Sequence, residues 1–175
     1  MAELIPPDLI PVWIPGQQTM DSSHLGWDGI TLKGYNYASQ QTRLPAMRDY
    51  MIVIYRGGGR STLRRRSGSS WETNTVEQGV ITFATGCEES EWHWTDPIDV
   101  GHIYLSHDAL SKTAEEVFEQ DISDIHIADI VGSKDSKFPI YLQLLEKEVN
   151  DQGIGDRLYI ESLRAQLLSL IHISE

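Results

Sequence analysis

A single cysteine, Cys87, stands in a chain of 175 residues. One thiol cannot close an internal disulfide, so packing and hydrogen bonds must hold the fold. A reducing cytoplasm is the expected compartment. Basic residues are scarce, with 14 Lys and Arg against 26 Asp and Glu, a net charge of −12. So acidic a chain has little long-range attraction for phosphate backbones or anionic membranes, which argues against its binding DNA by itself. No apolar run approaches the roughly 20 residues that a membrane helix needs. Residues 1–16 contain no Lys or Arg and are broken by four prolines, unlike a signal peptide. Internal repeats and low-complexity tracts are also missing.

What is present suits one globular domain. Apolar residues make up 40% of the chain, and five Trp, seven Tyr and three Phe are spread along it. That is enough to bury a core and too much for a disordered segment. The pattern changes once, near Ser106. Residues 1–20 are Pro-rich and read as an extended arm. Residues 30–106 carry short segments of β-branched and aromatic residues cut by turn signals such as Gly57-Gly58-Gly59 and Glu77-Gln78-Gly79. The run Tyr50 to Tyr55 is continuously apolar, which predicts a strand buried on both faces. About seven or eight such strands at close spacing predict an antiparallel barrel or sandwich.

Three helices are expected after it. Ser106 can cap the first, with Leu110, Ala114, Val117 and Phe118 on one stripe. The second starts near Ser136, buries Phe138, Tyr141, Leu142, Leu145 and Val149, and can end at Gly153. Asp156 can cap the third, whose apolar set is Ile160, Leu163, Leu167, Leu168, Leu170 and Ile171. That set covers nearly half the helix circumference, so it either packs on the barrel or leaves surface for a partner. Residues 119–135 read as an acidic connection, with an extended piece near 125–128.

The order of motifs carries a resemblance. It comprises Gly26-Trp27-x-Gly29, Arg43-Leu44-Pro45, Arg64-Arg65-Arg66-x-Gly68-x-x-Trp71, Trp92-His93-Trp94, residues 97–106 and Leu158-Tyr159-x-Glu161-Ser162-Leu163. From about Gly26 to Ile171 the chain resembles the N-terminal regulatory domain of AraC-family transcription activators. The resemblance implies a mainly β fold with C-terminal helices, namely a cupin-like antiparallel β-barrel (a double-stranded β-helix or jelly roll) followed by about three α-helices. It implies residues 1–20 as an arm, 21–106 as the effector-binding barrel and 107–175 as a helical dimerisation region. In the family a DNA-binding domain with two helix-turn-helix units follows. None lies within these residues, so the chain reads as part of a longer regulator or as a standalone sensor relative.

The resemblance places an effector site on the two strands bearing Trp92, Trp94, Val100, His102 and Tyr104, with Arg43 at the barrel mouth for a carboxylate or hydroxyl. Alternation supports the grouping, since Trp92 and Trp94 share one face while Ile98, Val100, His102 and Tyr104 share another. The alternative is a barrel filled by those same side chains. Dimerisation is expected through Ile160, Leu163, Leu167 and Leu170.

No metal or other cofactor is expected. The six histidines include no His-x-His pair, and no carboxylate stands at a ligand-like offset. Cys87 lies in an acidic loop that disfavours a thiolate, and neither a Gly-x-Ser-x-Gly elbow nor a P-loop occurs. The arginines at 60 and 64–66 read as a solvated hairpin paired with Glu88, Glu89 and Glu91. The sequence therefore reads as a cytoplasmic, non-enzymatic sensor. Its partners would be a small-molecule effector and a second copy of itself, with DNA reached only through a domain outside these residues and no membrane. The competing expectation is a cupin-type metal-dependent enzyme such as a sugar isomerase or oxygenase.

Overall fold

The computed structural model describes residues 3–57, 59–86, 88–117, 119, 127–151 and 157–171. Strands β1 (Gln17–Asp21), β2 (Ile30–Tyr37), β4 (Tyr50–Gly57), β7 (Val80–Ala84), β9 (Ile98–Leu105) and β10 (Ile130–Lys134) form one sheet in the order β1-β2-β9-β4-β7-β10. The second sheet runs β3 (Gln40–Leu44), β8 (Ser90–Trp94), β5 (Ser61–Ser67) and β6 (Ser70–Val76), in the order β3-β8-β5-β6. Pairing is antiparallel within both. The expected class, a mainly β cupin-like barrel with helices C-terminal to it, is the one observed.

Strand alternation divides the core in two. From β4, Met51, Val53 and Tyr55 enter the cluster between the sheets, while Tyr50, Ile52 and Ile54 enter a second cluster beneath the helices. The unbroken apolar run at 50–55 thus reflects burial on both faces, as period-two geometry requires. β9 does the same, with Val100 and Tyr104 inside and Ile103 and Leu105 under the helices.

That helical layer consists of α2 (His107–Val117), α3 (Phe138–Asn150) and α4 (Arg157–Leu170). Ser106 caps α2, its Oγ accepting from the Ala109 N–H at 3.1 Å. The helix expected to start near Ser136 begins at Phe138, and just before it Asp135 Oδ1 accepts from the N–H of Lys137 at 2.7 Å and of Phe138 at 2.9 Å. A carboxylate there also meets the positive end of the helix dipole. Asp135→Ala should therefore lower stability by about 1 kcal/mol, and Asp135→Asn by less, in urea titrations. Gly101 permits α3 to sit on β9, because a Cβ there would lie 2.6 Å from Leu142 Cδ1.

Three features depart from the sequence reading. Residues 1–20 are not uniformly extended: Ile10–Trp13 make the short helix α1, and 17–21 pair with β2 as an edge strand. Gln40–Leu44, read only as a motif, is a strand paired with β8. The connection at 119–135 ends in β10, which pairs with β7. Phe118, Gly153, Asp156 and residues 125–126 lie outside the described residues, as does the Val117 side chain.

Candidate functional site

The space between the sheets is lined by Ile14, Tyr37, Leu44, Met51, Val53, Tyr55, Leu63, Trp92, Trp94, Ile98, Val100 and His102. It retains a cavity of only about 30 Å³, room for about one water molecule. Four of the candidate effector residues, Trp92, Trp94, Val100 and His102, line this chamber. Tyr104 belongs to the same cluster and is 1% exposed. Its hydroxyl lies 2.7 Å from His102 Nδ1. Burial pushes the His102 imidazole down to about 3, so it is neutral at physiological pH.

Two further tyrosines, not singled out in the sequence, complete the polar corner. Tyr35 and Tyr37 stack with ring centres 5.2 Å apart, and both rings meet His102. Both hydroxyls are buried without a hydrogen-bond partner. Burial raises the pKa of each, so both stay neutral and can donate or accept. Their places at alternate positions of β2 were legible. Which face turned inward was not.

The N-terminal segment closes one side of the chamber. Ile10 and Ile14 are buried in the interior cluster. The Trp13 carbonyl accepts a hydrogen bond from Thr42 on β3, and the Pro15 carbonyl accepts one from Gln40 Nε2 at 3.0 Å. Gly16 is needed for the close pass, since a Cβ would fall 2.3 Å from the Tyr37 ring. Asp8 reaches the buried Lys33 ammonium at 2.9 Å, and Asp21 shares it at 3.3 Å.

Arg43 does not face the chamber. It lies on the outer surface of β3, paired with Glu89 at 2.8 Å and Glu91 at 3.6 Å. Period two explains the correction: Thr42 and Leu44 take the inner face, so Arg43 must take the outer one. The arginine hairpin is split as alternation requires. Arg64 and Arg66 flank the Trp71 ring at 4.6 and 5.1 Å, and Arg66 also pairs with Glu91. Arg65 instead turns inward and is 7% exposed, bound to Asp129 at 2.6 Å and Glu72 at 3.0 Å. It lines a second pocket of about 240 Å³ that shares Trp92 as a wall with the chamber.

The residues proposed for dimerisation are also placed differently. Ile160, Leu163 and Leu167 are 3, 4 and 0% exposed in the single chain, packed under the six-stranded sheet. Leu170 is half-buried against the same cluster. These positions therefore serve the chain's own core. Leu158, on the same helix, is 70% exposed. Among the described residues, no three His, Cys, Asp or Glu side chains converge as metal ligands. No described helix is long and apolar enough to cross a membrane.

No family model matches the chain, and no curated protein does. Solved structures do match. The AraC-like transcriptional activator CuxR superposes with a TM-score of 0.57 at 11% identity, over 85% of this chain and 53% of that one. ToxT from Vibrio cholerae superposes with a TM-score of 0.56 at 10% identity, over 82% of this chain and 56% of that one. The unsaturated fatty acid-bound form of ToxT gives 0.55 at 11% identity, over 82% and 55%. The chain shares its fold with part of CuxR and of ToxT. It spans just over half of their length.

Proposed function

We propose that this chain is the effector-sensing region of an AraC-type transcription regulator, acting by binding and not by catalysis. One observation carries the reading furthest: an aromatic chamber closed by the N-terminal segment, with Tyr37 on its wall and Tyr35 stacked on Tyr37, both hydroxyls buried without a hydrogen-bond partner. Each unpaired hydroxyl costs about 1–3 kcal/mol, which a ligand offering a donor or acceptor recovers. The chamber is too small for such a ligand as it stands, so Ile14 must withdraw for one to enter. The chamber lining contains no charged side chain, which favours an uncharged, largely apolar effector. The unsaturated fatty acid bound to ToxT supports ligand binding by this fold without naming this chain's effector.

Sensing would be a population shift between Ile14 seated and Ile14 displaced. The movement would reach a DNA-binding domain outside these residues. A homodimer remains part of the proposal, through the solvent face of α4 that carries Leu158 and not through its buried face.

Native mass spectrometry of the purified chain, incubated with a cell extract, provides the test. The full chain should take up one uncharged small molecule. Deleting residues 1–15, which spares β1, takes Ile14 out of the chamber and should strengthen uptake of that molecule by at least about tenfold. Unchanged uptake would remove the segment from the mechanism. Stoichiometric transition metal in place of an organic molecule would favour the cupin-enzyme reading.

A further inference from the structure

The second pocket, beyond Trp92, has a different chemistry. Arg65 is a nearly fully buried cation at its edge, and its Nε has no hydrogen-bond partner. Its Nη1 donates to Asp129 Oδ2 at 2.6 Å. The other oxygen of that carboxylate, Oδ1, accepts from the Thr85 backbone N–H at 2.9 Å and from Thr85 Oγ1 at 2.8 Å. These donors come from opposite sheets, Arg65 from β5 and Thr85 from just after β7. Together they make a socket fitted to one carboxylate. The carboxylate in it belongs to a side chain at the border of a pocket of about 240 Å³.

We propose that this pocket binds a small organic acid, and that Asp129 is an internal stand-in which the ligand's carboxylate displaces from Arg65 and Thr85. The rest of the pocket suits the non-acidic part of such a molecule. Pro45, Met47, Trp92 and Ile127 supply apolar walls, and the Trp92 indole is held by its Nε1–H donating to Ser90 Oγ at 2.7 Å. Exchanging one carboxylate for another leaves the number of carboxylates in contact with Arg65 unchanged, while the released Asp129 turns toward water. This matters because Glu72 already neutralises part of that charge and Glu88 lines the same pocket. An added anion would be repelled, whereas a substituted one is not. The Asp129 side chain is 25% exposed and so has a route to water.

Displacement would also be felt elsewhere. Asp129 immediately precedes β10, an edge strand whose pairing with β7 slips between Ile130 and Ser133. Asp135, just beyond β10, accepts from the Phe138 N–H at the start of α3. Release of Asp129 therefore loosens the short link between the pocket and the helical layer.

The experiment uses the full chain with 3-phenylpropionate as the acid and 3-phenylpropionamide as its uncharged control, by titration calorimetry at fixed ionic strength. Removing an internal competitor must tighten binding. Asp129→Ala should bind the acid at least about tenfold more tightly than the unsubstituted chain, and the amide should show no such gain. Arg65→Gln should abolish binding of the acid. Equal affinity in the Asp129→Ala and unsubstituted chains, or an amide that binds as well as the acid, would overturn the proposal. Should Asp129→Ala not fold alone, Asp129→Asn keeps an acceptor for Thr85 without the charge and should show a smaller gain. If both unfold, recovery of native circular dichroism with the acid but not the amide reads the same exchange, and no recovery counts against it. The proposal does not rest on the sensor reading. Uptake into the chamber behind Trp92 would not depend on residue 129, so each can fail without the other.

Discussion

Leu163→Glu is expected to unfold the protein rather than to separate a dimer. Leu163 is 4% exposed and lies in the cluster formed by α2, α3, α4 and the outer face of the six-stranded sheet. Truncating a leucine in such a place costs about 2–5 kcal/mol through lost burial and the cavity left behind. A carboxylate adds a desolvation penalty of several kcal/mol. The total rivals the roughly 5–15 kcal/mol by which whole domains are stable. Urea titration followed by circular dichroism should show little or no native baseline, while Leu163→Met stays within about 1.5 kcal/mol of the starting protein. A folded Leu163→Glu chain that sediments as a monomer would return this face of α4 to the role of an interface.

Acid should weaken the fold well before its carboxylates titrate. His102 is the cause. Buried against Tyr35, Tyr37 and Tyr104, its imidazole is pushed down to about 3, whereas an unfolded chain takes up that proton near pH 6.5. Between those values the unfolded state binds more protons than the folded one. The stability held by neutral His102 is therefore complete above about pH 6.5 and is lost as pH falls toward 3, by about 1.4 kcal/mol per unit. Urea midpoints should drop between pH 6.5 and 4.5, and His102→Gln should flatten that slope while costing stability at pH 7. Asp21, Glu77 and Glu91 are held below their ordinary carboxylate range by hydrogen bonds and neighbouring cations, so their loss adds only at lower pH. A flat profile for the unsubstituted chain above pH 4.5 would mean that His102 has a solvent path or a charge partner when folded.

These two residues also show where the sequence was informative. Leu163 was recognised as part of an apolar set too broad for one contact, but period 3.6 says only that a face is buried, not what covers it. The six-stranded sheet covers it, and the sheet's outer surface exists only once β2, β9, β4 and β7 are side by side. His102 was placed with Val100 and Tyr104 by alternation alone. The depth of burial that decides its charge comes from the opposing sheet and from the N-terminal segment. Arg43 and Arg65 make the same point with opposite outcomes. Both lie on strands, where one step of register exchanges inside for outside. The sequence supplied the alternation but not its phase, so the arginine assigned to the site lies at the surface and the one read as surface is buried.

The sequence by itself determined the change from strands to helices near Ser106, the doubly buried run at 50–55, the Ser106 cap and the grouping of Trp92 with Trp94 and of Val100, His102 and Tyr104. Each follows from local periodicity, turn chemistry or capping, which act over a few residues. The tertiary structure alone decided that Gln17–Asp21 and Ile130–Lys134 extend the same sheet at opposite edges, that Ile14 closes the chamber, and that Asp129 meets Arg65 across 64 residues of chain. Edge strands and long-range ion pairs carry weak local signatures, because their stabilisation comes from partners far away in sequence. Such partners become neighbours only when the two sheets close on each other.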